Sequence, residues 1–203
     1  MIIAFATAAT YGAAAWLGVL LADALYSDRK PFEDGPESIA APAWLFIAAG
    51  AAIGAAVALH HPGLSQLVTV GLVTVALVAC TATDLRCGLV PDVFTLVPLV
   101  ALVAWFAVHG NYGPALSAAL VAVPFAAVAF ATRGRGMGWG DVKLAALGGA
   151  LLGARGAVMA LAIACVAAFA LTRFLGTRKK QPIAFAPYLV GGIGAVLMIG
   201  ASV

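Results

Sequence analysis

A chain of 203 residues that is 64% hydrophobic and only 9% charged excludes a water-soluble domain, whose usage is roughly 45–50% apolar and 25% charged. The formal net charge of +3 comes from basic residues set in short stretches between apolar runs, a pattern of membrane topology that excludes nucleic-acid binding. Apolar segments run from end to end, so residues 1–203 are read as a single domain embedded in a lipid bilayer.

Charged residues, Pro and Gly divide the sequence into apolar segments near 1–25, 42–59, 65–83, 93–109, 112–132, 142–154, 157–175 and 184–202. A spanning segment must satisfy its own backbone groups, and none of these runs alternates as a membrane barrel strand does. The expected fold class is therefore all-α: a polytopic membrane bundle of about eight transmembrane helices.

In the first segment, Ala22-Asp23-Ala24 imitates the cleavage site of a secretory signal. No Lys or Arg precedes the apolar stretch, however, and the stretch is long enough to cross a bilayer, so it is read as a span. Between the first and second segments lies the loop 26–41. In the second, Gly50-x-x-x-Gly54 fits close helix packing in lipid, as Gly149-x-x-x-Gly153 does further on. The sixth segment, 142–154, is short for a full span of about 20 residues and must tilt, thin the bilayer or stop partway.

With alternating spans, the loops near 26–41, 84–92, 133–141 and 176–183 share one side. Arg29, Lys30, Arg86, Arg133, Arg135, Lys143, Arg173, Arg178, Lys179 and Lys180 fall on or near it, and only Arg155 falls on the other. The positive-inside rule makes the first side cytoplasmic, with Arg178-Lys179-Lys180 as an anchor. His60, His61 and His109 belong to the opposite face. Trp16, Trp44, Trp105 and Trp139 are read as interfacial belt residues. Cys80, Cys87 and Cys165 are odd in number and lack paired spacing, so they are read as small buried hydrophobes, with neither a disulfide framework nor a zinc site.

The chemistry narrows to few residues. Of the acids, Asp23, Asp28, Glu33, Asp34 and Glu37 belong to the end of the first span and its loop, leaving Asp84, Asp92 and Asp141. Asp84 directly follows one apolar run and Asp141 directly precedes another, both on the basic side. Ionisable groups at such positions are costly to desolvate and are functional candidates. In Gly136-Met137-Gly138-Trp139-Gly140-Asp141, closely spaced glycines let the backbone approach a ligand and present a carboxylate at a helix start. In the stretch from Asp84 through Arg86 to Pro91-Asp92, a carboxylate is followed by a short loop and a proline that opens the next helix.

Two converging, partly desolvated carboxylates cannot both stay ionised at neutral pH, which supplies one acid and one base. The base draws a proton from a water that attacks a peptide carbonyl; the acid hydrogen-bonds that carbonyl and protonates the leaving amine. Such chemistry requires no metal, no cofactor, no nucleophilic Ser or Cys and no histidine. The alternative is a proton-coupled membrane carrier that uses Asp84 and Asp141 as titrating groups. The glycines at 134–140 do not form a dinucleotide loop, and Lys143 lacks P-loop spacing; it either snorkels to the interface or tunes the charge of Asp141.

These residues resemble the type IV prepilin leader peptidases, aspartic proteases of the G-x-G-D class. Residues 84–92 look like the family's first motif, with Val90-Pro91-Asp92 as its hydrophobic-Pro-Asp step. Gly138-Trp139-Gly140-Asp141-Val142-Lys143-Leu144 looks like the second, G-x-G-D-x-K-L, and residues 182–189 echo a third. The resemblance implies catalysis by Asp84 and Asp141, supported by Gly138, Gly140, Lys143 and Pro91. It implies cleavage, at the cytoplasmic face of the inner membrane, of the short leader of a type IV prepilin or a type II secretion pseudopilin. Many members also N-methylate the new amino terminus through a larger first loop with two Cys pairs. Loop 26–41 is short and has no Cys, so the resemblance extends neither methyltransferase activity nor zinc to this chain. Ala184 and Ala186 depart from the third motif, and no site residue is taken from it.

Overall fold

The computed structural model describes residues 2–26, 41–60, 63–134, 137–174 and 184–200. Among them every regular element is helical: α1 (Ile2–Tyr26), α2 (Ala43–His60), α3 (Leu64–Cys87), α4 (Asp92–Val108), α5 (Gly113–Ala131), α6 (Trp139–Phe174) and α7 (Ala186–Ile199). Five of them are long and apolar enough to cross a membrane, while α4 and α7 are shorter apolar helices. The described part of the chain is thus all-helical, with the apolar helices of a multi-pass membrane protein. Loop 27–40 and the anchor 178–180 lie outside the described residues, as does His61.

The seven helices differ from the eight expected segments because 142–154 and 157–175 form one element, α6, interrupted at Gly153 (φ 70, ψ 169). A Cβ placed on Gly148 would touch Ile193, and one on Gly192 would collide with the carbonyl of Ala160. One turn of α7 therefore meets positions 148 and 160 of α6, which a straight helix would hold about 18 Å apart. The chain folds back at Gly153. The sequence suggests Arg155 as the punctuation, yet the backbone turns two residues earlier, where a left-handed φ is open to glycine. Gly153 is accordingly a turn rather than half of a packing motif.

Close approach between helices is set by missing side chains. A Cβ on Gly50 would lie 2.7 Å from the Tyr11 carbonyl oxygen and one on Gly54 2.6 Å from that of Thr7, so α2 rests on the backbone of α1. Gly149 does the same for α6 against α5, at 2.8 Å from the Ser117 carbonyl oxygen. The Tyr11 hydroxyl donates to the Leu67 carbonyl at 2.6 Å and ties α1 to α3. Helix α3 runs through the middle, with buried side chains from Leu67 to Cys87.

The bundle has two chemically distinct ends. At one, α1 and α3 finish while α4, α6 and α7 begin. At the other, a Cβ on Gly200 would lie 2.9 Å from the His60 ring. The rise of α7 puts Gly200 about 21 Å from Ala186, and that of α4 puts His109 about 25 Å from Asp92.

Candidate active site

Asp84 lies in the last turn of α3 and is only 6% exposed. The turn closes because Gly88 takes a left-handed conformation (φ 64, ψ 30) and donates its N–H to the Asp84 carbonyl at 2.9 Å. Residues 89–91 then lead into α4, with buried Pro91 as its extended N-cap (φ −71, ψ 138), one position before the helix rather than its first residue. The Asp84 side chain does not end in the loop. Its Oδ2 accepts the N–H of Ala186 at 3.1 Å, in a buried contact across the bundle. Ala186 is the first residue of α7 and Pro187 the second, so the carboxylate sits where unpaired N–H groups and the helix dipole favour a negative charge.

Asp141 is the third residue of α6 and is half-buried. Its own N–H donates to the Gly138 carbonyl at 3.2 Å. A Cβ on Gly138 would stand 3.4 Å from Asp141 Oδ2, in ordinary contact. Gly140 is different: a Cβ there would lie 2.7 Å from the Cβ of Val90, closer than such atoms approach. The start of α6 can press against the loop 88–91 only because position 140 has no side chain. That contact brings Asp141 within electrostatic reach of Asp84, and the two carboxylates repel each other.

Ion pairs frame this end. Lys143 Nζ meets Asp92 Oδ1 at 2.5 Å and joins α6 to α4, while Arg86 pairs with Asp23 and joins α3 to α1. Tyr26 and Phe94 meet at this end as tilted rings, with centroids 6.3 Å and planes 58° apart. The direct partner of Lys143 is therefore Asp92, in an ion pair at the exposed edge of the bundle. Described histidines take no part: His60 and His109 are at the far end. All four tryptophans are about half exposed or more, Trp139 at 49%.

Of the six residues singled out from sequence, Asp84, Asp141, Gly138, Gly140 and Pro91 converge on this end of the bundle, with Lys143 bracing its edge. Sequence reasoning passed over the Ala186 N–H. A backbone donor carries no side-chain signal, and the trace available was Pro187, a residue favoured in the first turn of a helix. Chemically, the arrangement offers two opposed carboxylates, one oriented by a backbone donor, with a basic residue on either flank.

Residues 71–173, which include both aspartates, match the type IV leader peptidase family. Two curated relatives, each named prepilin leader peptidase/N-methyltransferase, come from Burkholderia pseudomallei strains 1026b and K96243. Each is 31% identical over 166 residues, covering 76% of this chain and 53% of the relative. The chain thus spans about half the length of the curated relatives it matches. No solved structure gives a significant match.

Proposed function

Because the chain belongs to the type IV leader peptidase family, we propose that it is an aspartic endopeptidase that removes the short leader of a type IV prepilin or pseudopilin, with Asp84 and Asp141 as its catalytic pair. The observation that carries this reading is that both carboxylates lie at the same end of the bundle, within electrostatic reach of each other, where the contact of Gly140 with Val90 sets the start of α6 against the loop 88–91.

The pair works as a unit. Two carboxylates that feel each other's charge favour the singly protonated pair, so one acts as base toward the attacking water and the other as acid toward the scissile carbonyl. The Ala186 N–H engages Oδ2 of Asp84 and fixes the carboxylate plane, leaving Oδ1 for water or substrate. Collapse of the tetrahedral intermediate breaks the C–N bond as the acid protonates the departing amine.

The basic residues described at this end, Arg86, Arg133, Lys143 and Arg173, support a cytoplasmic placement of the site in the inner membrane, and Arg155 follows the turn at the other end. The proposal covers proteolysis alone, without methyl transfer. The carrier reading fits less well: it needs titrating groups at a broken helix near mid-membrane. The break at Gly153 is about 18 Å along α6 from Asp141.

The test is cleavage of a prepilin by the purified chain in liposomes. Asp84→Asn and Asp141→Asn are each expected to abolish cleavage while still inserting normally into the membrane. Full activity in either variant rules the reading out.

A further inference from the structure

A groove of about 480 Å³ lies between α2, α3 and α7, beside Asp84 but outside the chemistry described so far. Its rim is open, with Leu45 of α2 and Met198 of α7 both more than a third exposed. Its polar wall residues are spent: the Thr74 hydroxyl donates to the Val70 carbonyl at 2.8 Å and that of Thr81 to the Leu77 carbonyl at 2.9 Å. With those hydroxyls engaged, the groove suits an apolar occupant.

The shape of the groove narrows the choice further. Along α3 it runs from Thr74 to Leu85, and along α7 from Pro187 to Met198. Each stretch rises about 16 Å, the length of three helical turns. The groove ends at Leu85 and Pro187, the sequence neighbours of Asp84 and Ala186, whose hydrogen bond joins its two walls. Leu77 lines the groove, and Asp84, seven positions on, shares its face of α3. An occupant running along the groove is thus led to the carboxylate.

Gly191 supplies an independent sign. A Cβ on Gly192 would strike the Ala160 carbonyl and one on Gly194 would press on Ile53, so the fold itself uses those glycines. Gly191 is exposed, has no positive φ and has nothing within 4 Å of where a Cβ would be. A helix-interior glycine costs about 1 kcal/mol relative to alanine, and no contact within the described chain needs it. What it provides is bare backbone on the groove wall, the surface that lets a second helix pack closely in lipid.

We propose that this groove receives the apolar helix of the leader-bearing substrate, entering sideways from the lipid and presenting the scissile bond at the Asp84 end. The proposal rests on the peptidase reading above and names where the substrate binds. An acyl chain would fill the same space without being delivered to Asp84 in register.

The test uses the full chain in liposomes with a type IV prepilin that it cleaves. A benzophenone amino acid in place of Leu45, an exposed residue on the rim of the groove, is expected to crosslink to the prepilin within the first three turns after the cleavage point. The same probe at Val68, exposed on the other side of α3, is expected to give no such adduct. Gly191→Leu, and the same change at Ala195 on the same wall, should raise KM about 10-fold with kcat unchanged, and Gly191→Ala should raise it by a smaller factor. Adducts to lipid alone, equal adducts from position 68, or an unchanged KM in both leucine variants would overturn the docking proposal. The peptidase reading fails separately, if no prepilin is cleaved or if Asp84→Asn still cleaves.

Discussion

Asp84 closes the last turn of a buried helix and is held by an N–H from α7, whereas Asp141 opens a helix at the half-buried edge of the bundle and is placed by glycines. The first is positioned by what surrounds it: the capped end of α3, the start of α7 and a nearly dry environment. The second is positioned by what is missing, since Gly140 permits the contact with Val90 that brings α6 inward. One half of the pair therefore depends on a donor and the other on the absence of a side chain. The two should fail differently when disturbed.

The largest effect that follows from this contrast is loss of the carboxylates themselves. Asp84→Asn or Asp141→Asn should lower kcat by about 10³-fold or more, because each removes one of the two groups proposed to transfer protons. Next comes Gly140→Ala, whose Cβ would collide with Val90; activity should fall about 100-fold, and the double variant Gly140→Ala/Val90→Gly should recover at least about tenfold of that loss. Equal activity in all four members of that cycle would remove the spatial argument for Asp141.

On the Asp84 side, Ala186→Pro deletes the N–H and also strains Phe185, whose helical backbone (φ −89, ψ −27) a following proline disfavours. A cost of about 1–3 kcal/mol for the unsatisfied carboxylate oxygen is expected, read as a lower melting temperature together with about a tenfold drop in kcat. Smaller still is Lys143→Ala, which breaks a partly exposed pair with Asp92. Its effect on stability should stay below about 1 kcal/mol, and Asp92→Ala should match it, because the pair braces α6 without touching the reacting groups. Gly138→Ala should be the mildest, within about threefold in kcat, since a Cβ there meets Asp141 Oδ2 only at 3.4 Å.

The sequence made the helices legible because most apolar runs are long, and made the two aspartates stand out because few acids lie near apolar runs at all. Three features were not legible, each for a physical reason. The turn at Gly153 was hidden by Arg155, a charge that looks like a loop marker although the backbone reverses at the glycine. Gly153 also completes a small-xxx-small pattern, and sequence does not distinguish a glycine that packs from one that turns. The pairing of Lys143 with Asp92 joins helices distant in sequence. The Ala186 donor is a main-chain group, invisible in any residue list. Gly140 lay in between: its motif marked the place, while its function as the gap that Val90 fills needed coordinates.

The proposal that Asp84 and Asp141 act as one catalytic unit makes a single decisive prediction. It is tested most directly by comparing prepilin cleavage by Asp84→Asn, Asp141→Asn and the double variant, each shown to be inserted in liposomes at equal amounts. Groups that act together lose their function together, so both single variants should sit at the same floor and the double variant no lower. A single variant that keeps the wild-type rate, or two partial losses that multiply in the double variant, would contradict it.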